Sequence, residues 1–105
     1  MKVLVFYVPP RHAAKVKDAV FGAGGGAIGK YDRCSWECLG RGQFRPLPGA
    51  KPFIGRVGAT RRACELRVEI AIPDDRVQAC VNALIAAHPY EAPAWHVLAC
   101  EATAP

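Results

Sequence analysis

The chain has 105 residues, 51% of them hydrophobic, and a formal charge of +5. That length supports one hydrophobic core, that apolar content excludes a disordered chain, and no apolar run approaches the roughly 18–20 residues of a membrane-spanning helix. The charge is local: no acidic residue occurs between Glu37 and Glu65, where Arg41, Arg45, Lys51, Arg56, Arg61 and Arg62 lie. The five cysteines are an odd number without a C-x-x-C pair. They fit neither a disulfide framework nor a zinc knuckle, and reduced, mostly buried thiols are expected. The apolar run that opens the chain is too short for a signal peptide and meets Pro9-Pro10 at once, so the expected location is the cytoplasm.

Residues 2–8, rich in Val, Phe and Tyr, predict a central strand that Pro9-Pro10 ends. A helix follows from about Arg11, with Ala13, Val16, Val20 and Ala23 on one stripe. The glycines of 22–26 stop it and reverse the chain. Residues 31–38 read as a second strand with Cys34, Trp36 and Cys38 on its core face. Gly40-Arg41-Gly42 reads as a turn into a short strand, Gln43 to Leu47. The long Pro- and Gly-rich connection 48–60 is of a kind that is often functional. Residues 61–72 alternate with period two, Leu66, Val68, Ile70 and Ile72 forming the buried face. A second helix starts at Pro73-Asp74-Asp75, with Asp74 as its cap. It carries the stripe Val77, Cys80, Val81, Leu84 and His88, and Pro89 ends it. Residues 94–100 form the last strand.

This order predicts an α+β fold. It is a ferredoxin-like βαββαβ sandwich, an antiparallel sheet with two helices on one face, plus an extra short strand and a long loop. The other sheet face needs a cover. Tyr7, Tyr31 and Trp95 are candidates to lie on it, and an aromatic patch there favours a closed homo-oligomer.

Three stretches carry a family resemblance. They are Gly24 to Trp36, Gly40 to Pro46 continuing through Gly49 to Gly58, and His88-Pro89-Tyr90-Glu91-Ala92-Pro93. Together they resemble the YqfO family, stand-alone forms of the domain inserted in the NGG-one-interacting-factor proteins, also called GTP cyclohydrolase one type two homologues. The third stretch is also similar to CutA, a trimeric protein associated with divalent-cation tolerance. The resemblance implies a single CutA/PII-like domain over 1–105, and a trimer by analogy. In the full-length relatives the proposed hydrolytic chemistry belongs to a two-metal site in flanking halves that this sequence lacks. Its three histidines form no H-x-H or H-x-x-x-H pair.

The Gly40–Gly58 segment combines glycines, whose backbone N–H groups can approach an anion, with forked guanidinium donors. Its ligand-binding candidates are Arg41, Gln43, Arg45, Lys51 and Arg56, for a nucleotide, phosphate or carboxylate. The bland alternative is a structural loop with solvated cations. His88 and Glu91 have the chemistry of transition-metal ligands, making a divalent transition metal the one candidate cofactor. The competing role of His88 is to close the C-terminus of the second helix. Cys34 and Cys38 lie about 13 Å apart in an intact strand, too far for one ion or one disulfide.

The leading functional expectation is a non-catalytic, homo-oligomeric, ligand- or metal-responsive sensor or adaptor domain. The alternatives are a metal-dependent hydrolase or nucleotide-modifying enzyme, and weak nucleic-acid binding through 41–62. The last is disfavoured because the cations are interleaved with Pro and Gly rather than aromatics. No catalytic residues are assigned.

Overall fold

The computed structural model describes residues 1–101. Its centre is β1, Lys2–Val8, which pairs antiparallel with β3, Arg61–Ile72, on one side and with β4, Trp95–Ala99, on the other. β2, Trp36–Phe44, adds to the free side of β3, giving the order β2-β3-β1-β4. Helices α1, Ala13–Gly22, and α2, Val77–Ala87, each follow a short 3-10 turn. This is the expected ferredoxin-like arrangement.

Register settles which face is which, because directly opposed residues share a face. Leu4, Phe6 and Val8 oppose Ile70, Val68 and Leu66, and this face forms the core with Val16 and Val20 of α1 and Cys80, Val81 and Leu84 of α2. The other face presents Val3, Val5 and Tyr7, with Arg67 and Glu69 of β3 and His96 and Leu98 of β4 beside them. Tyr7 is held there by Arg67, whose Nη1 donates to the Tyr7 hydroxyl at 3.2 Å while its Nε pairs with Glu69 at 3.3 Å.

The second strand departs from expectation. It starts at Trp36, because residues 26–35 are taken up by a reversal. Ile28 and Tyr31 form an isolated bridge, Cys34 N–H donates to the Gly26 carbonyl at 2.9 Å, and Arg33 sits at φ 56°. Arg33 is tied to α1 through Asp18 at 2.6 Å. Gly40-Arg41-Gly42 is not a turn but the middle of β2, and the expected short strand contributes only Gln43 and Phe44 to that same β2. Trp36 and Cys38 do share a face, but it is the outer one, opposite Glu69 and Arg67. Of the five cysteines only Cys80 is buried.

Two aromatic placements also differ. Trp95 opposes Phe6 and so belongs to the helix-side face, whereas Tyr31 lies in the reversal rather than in a strand. Asp74 makes no cap hydrogen bond. Its carboxylate instead meets the N-terminal ammonium at 3.1 Å, which holds its pKa below the usual aspartate value.

β1 ends opposite Leu66, so Gly40–Phe44 and Arg61–Glu65 continue as a two-stranded ribbon beyond the sheet. Five residues extend about 17 Å at ~3.3 Å each. The ribbon raises the radius of gyration to 14.8 Å, against about 13 Å for a compact chain of this length.

The glycine run after α1 gives a stability test. A Cβ on Gly25 would meet Ile72 Cδ1 at 2.7 Å and Val20 Cγ1 at 3.0 Å, whereas one on Gly22 would meet nothing within 4 Å. Gly25→Ala is expected to cost about 1–3 kcal/mol by overpacking. Gly22→Ala, inside the last helical turn, should stabilise by roughly 0.5–1 kcal/mol. Urea denaturation of the two variants checks both signs.

Candidate functional site

Pro89 prevents α2 from continuing, and His88 becomes its C-cap with an extended backbone at φ −71°, ψ 138°. The imidazole turns under the helix end to the sheet. His88 Nε2 lies 2.7 Å from the Tyr7 carbonyl, and Nδ1 accepts the Tyr90 N–H at 3.1 Å. Because Nδ1 accepts, the ring proton is on Nε2, which donates to Tyr7. Burial pushes the His88 pKa below 6.5, with the Tyr7 bond opposing. These two bonds fix the segment that carries Tyr90 and Glu91.

The ribbon's connection, residues 45–60, folds back onto that segment. Glu91 Oε2 accepts the Lys51 N–H at 2.9 Å. The Phe53 ring lies between Tyr90, 6.1 Å away, and His12, 5.4 Å away and edge-on, while Phe44 stands 6.4 Å from Tyr90 on the other side. Between connection and segment is a cavity of about 430 Å³, its walls including Phe44, Pro46, Leu47, Phe53, Ile54 and Tyr90. Gln43, Arg45, Glu65 and Glu91 are the polar side chains that line it. The Tyr90 hydroxyl is buried and lacks a partner at full hydrogen-bonding geometry among the described residues, as does His12 Nε2. Burial, reinforced by the negative charge of Glu65 and a weak hydrogen bond to it, pushes the Tyr90 pKa up to about 12. It is therefore a phenol at neutral pH.

The ligand candidates read from sequence divide. Gln43 and Arg45 line the cavity, and Lys51 reaches the site through its backbone N–H. Arg56 lines a separate depression with Arg61, and Arg41 is an exposed residue of β2 opposite Cys64. Of the metal candidates, His88 has both ring nitrogens engaged and Glu91 holds the loop. Among the described residues no group of three or more His, Cys, Asp or Glu side chains is placed to hold a metal ion.

The aromatic walls went unrecognised as a site in the sequence. The one available signal was the position of Phe44, Phe53 and Tyr90 in or beside glycine- and proline-rich connections. There, the rings of Phe53 and Tyr90 have no strand or helix face to join.

The βαββαβ order and the projecting ribbon define a ferredoxin-like fold of the CutA/PII-like type. CutA1 from Pyrococcus horikoshii superposes with a TM-score of 0.72 at 14% identity, covering 99% of this chain and 87% of that one. A Bacillus cereus protein related to NIF3 superposes with a TM-score of 0.79 at 36% identity, over 92% of this chain and 24% of that one. The GTP cyclohydrolase 1 type 2 homologue of Mycobacterium leprae is 50% identical over 95 residues, 90% of this chain and 25% of the relative. That of Bacillus subtilis is 42% identical over 103 residues, 98% of this chain and 28% of the relative. No protein-family model matches the chain. The chain belongs to the YqfO/NIF3-related family, and it spans about a quarter of the length of the curated relatives it matches.

Two tests follow from the site. The unfolded chain protonates His88 at a higher pH than the folded one does, because burial depresses the folded-state value. The stability tied to neutral His88 is therefore complete above its ordinary pKa of 6.5 and is lost as pH falls through it. The urea midpoint is expected to drop between about pH 7.5 and 5. His88→Gln, less stable by about 2 kcal/mol at pH 7.5, should show a smaller drop. Glu91→Ala frees the Lys51 N–H, and trypsin should cut after Arg56 several times faster with little change in the global midpoint.

Proposed function

We propose that residues 1–105 act as a single homo-oligomeric, ligand-responsive sensor or adaptor domain rather than as a catalytic one. The observation that carries this reading is the cavity closed by the 45–60 connection on the His88–Ala94 segment. It is concave, mostly apolar and provided with a few polar groups, the usual composition of a small-molecule site. It is roofed by a connection that one backbone hydrogen bond and ring contacts hold in place, so occupancy can bias the loop's position. Arg45 among its lining residues supports an anionic substituent on the ligand.

The name GTP cyclohydrolase 1 type 2 homologue belongs to proteins of which this chain matches a quarter. Transfer of hydrolytic chemistry would require a metal cluster or a nucleophile–base pair. His88 is committed to two backbone partners, and His12 packs against Phe53. A direct role for the cavity in binding uses the residues as they stand.

Self-association is supported by the outer face. Trp36 at 56% and Leu98 at 45% exposure lie on this face, and β2 is an edge strand whose first six residues are all exposed. A nine-residue unprotected edge is a template for pairing with another chain. The ribbon extends that edge beyond the core, where a sister copy can cover it. A closed trimer is the assembly we favour.

Light scattering on the eluting protein at micromolar concentration is expected to give one oligomeric species, and Trp36→Glu should shift it toward monomer. A wild-type monomer would contradict the oligomeric part. Turnover of GTP or a phosphoester with added divalent metal, abolished by His88→Ala in a variant that still folds, would contradict the non-catalytic part.

A further inference from the structure

The Tyr90 hydroxyl is the buried side-chain polar atom of the cavity lining that lacks a partner at full hydrogen-bonding geometry among the described residues, although the Glu65 carboxylate is near enough to raise its pKa by charge and by a weak hydrogen bond. A buried donor left without a well-placed acceptor destabilises the protein that carries it, and such groups call for an explanation. Beside it stands the Glu65 carboxylate. This side chain crosses over Gly42 in the neighbouring strand, in space that a Cβ at residue 42 would fill. Glycine in mid-strand is ordinarily unfavourable, so the sequence makes room for Glu65 where it lies. An ionised carboxylate only accepts hydrogen bonds, whereas a phenol donates one.

One donor and one acceptor side by side match a group that offers the converse pair. Phe44, Phe53 and Tyr90 flank that edge, with ring centroids 6.1–6.4 Å apart in the pairs that include Tyr90 and planes tilted by 46–48°. Such rings favour a flat, polarisable partner. The volume of about 430 Å³ admits a fused bicyclic ring with a substituent.

We propose that the cavity takes a flat heteroaromatic ring with a lactam edge, the ring carbonyl accepting from the Tyr90 hydroxyl and the ring N–H donating to the Glu65 carboxylate. This rests on the ligand-binding reading of the cavity and names the chemistry it selects. The high Tyr90 pKa keeps the hydroxyl proton available across the physiological range.

Isoquinolinone and naphthalene separate the two claims, since they are fused bicycles of the same ring count and only the first has a lactam edge. Affinities are measured by ligand-observed NMR on the full chain. Isoquinolinone is expected to bind at least about ten-fold more tightly than naphthalene, the margin of one neutral hydrogen bond from Tyr90 and one charge-assisted bond to Glu65. Tyr90→Phe, which retains the ring and is checked for an unchanged thermal midpoint, should reduce that margin several-fold and leave naphthalene's affinity in place. Equal affinities for the wild type, or a margin that survives Tyr90→Phe undiminished, would overturn the lactam assignment while leaving the binding cavity standing. Failure of both probes to bind the wild type would overturn the cavity reading as well.

Discussion

The imidazole of His88 is the constraint on which the site depends. It joins three places that are distant in sequence: the end of α2, the end of β1 through the Tyr7 carbonyl, and the start of the connection to β4 through the Tyr90 amide. A neutral ring with one donor and one acceptor nitrogen satisfies two partly buried backbone groups at once. Neither lysine nor a carboxylate can do this without a charge, and burying an unpaired charge is far more costly than burying a polar group. With that anchor in place, Tyr90 and Glu91 are presented on a fixed shelf. The Pro- and Gly-rich connection then closes over it.

The ribbon supplies the other half of the enclosure. Its strands leave the sheet where β1 ends, so no helix covers them. The Glu65 carboxylate crossing over Gly42 is the feature that ties ribbon to cavity. Nearer the core the same two strands present Trp36 and Arg67 on the sheet face that lacks helices, beside Tyr7 of β1. Ligand cavity and bare face thus share the β2–β3 pair.

Period-two and helical stripes made most of the fold legible. Leu66 to Ile72 and Leu4 to Val8 alternate against a solid core, and α1 and α2 carry their apolar residues at helical spacing. The pattern failed where residues do not face that core. Trp36 and Cys38 alternate like core residues but lie on the outer face, because parity shows which residues share a face and not which face is covered. Gly40 and Gly42 mimic a turn, although the space over Gly42 serves a side chain from another strand. At the site, charge drew attention to 41–56, of which Gln43 and Arg45 line the cavity, yet it passed over Tyr90 and Glu65. Their meeting depends on a fold-back of the 45–60 connection that no local spacing encodes. The position of His88 on its helical stripe did indicate that the ring turns inward, and the structure supplies the partners it meets.

The most direct test of this account is a crystal structure of the full chain soaked with isoquinolinone. Density for the bicycle among Phe44, Phe53 and Tyr90, with Lys51 N–H still on Glu91, is the predicted result. A connection 45–60 lying away from the His88–Ala94 segment, with the Tyr90 hydroxyl in bulk solvent and no bound ring, would contradict it.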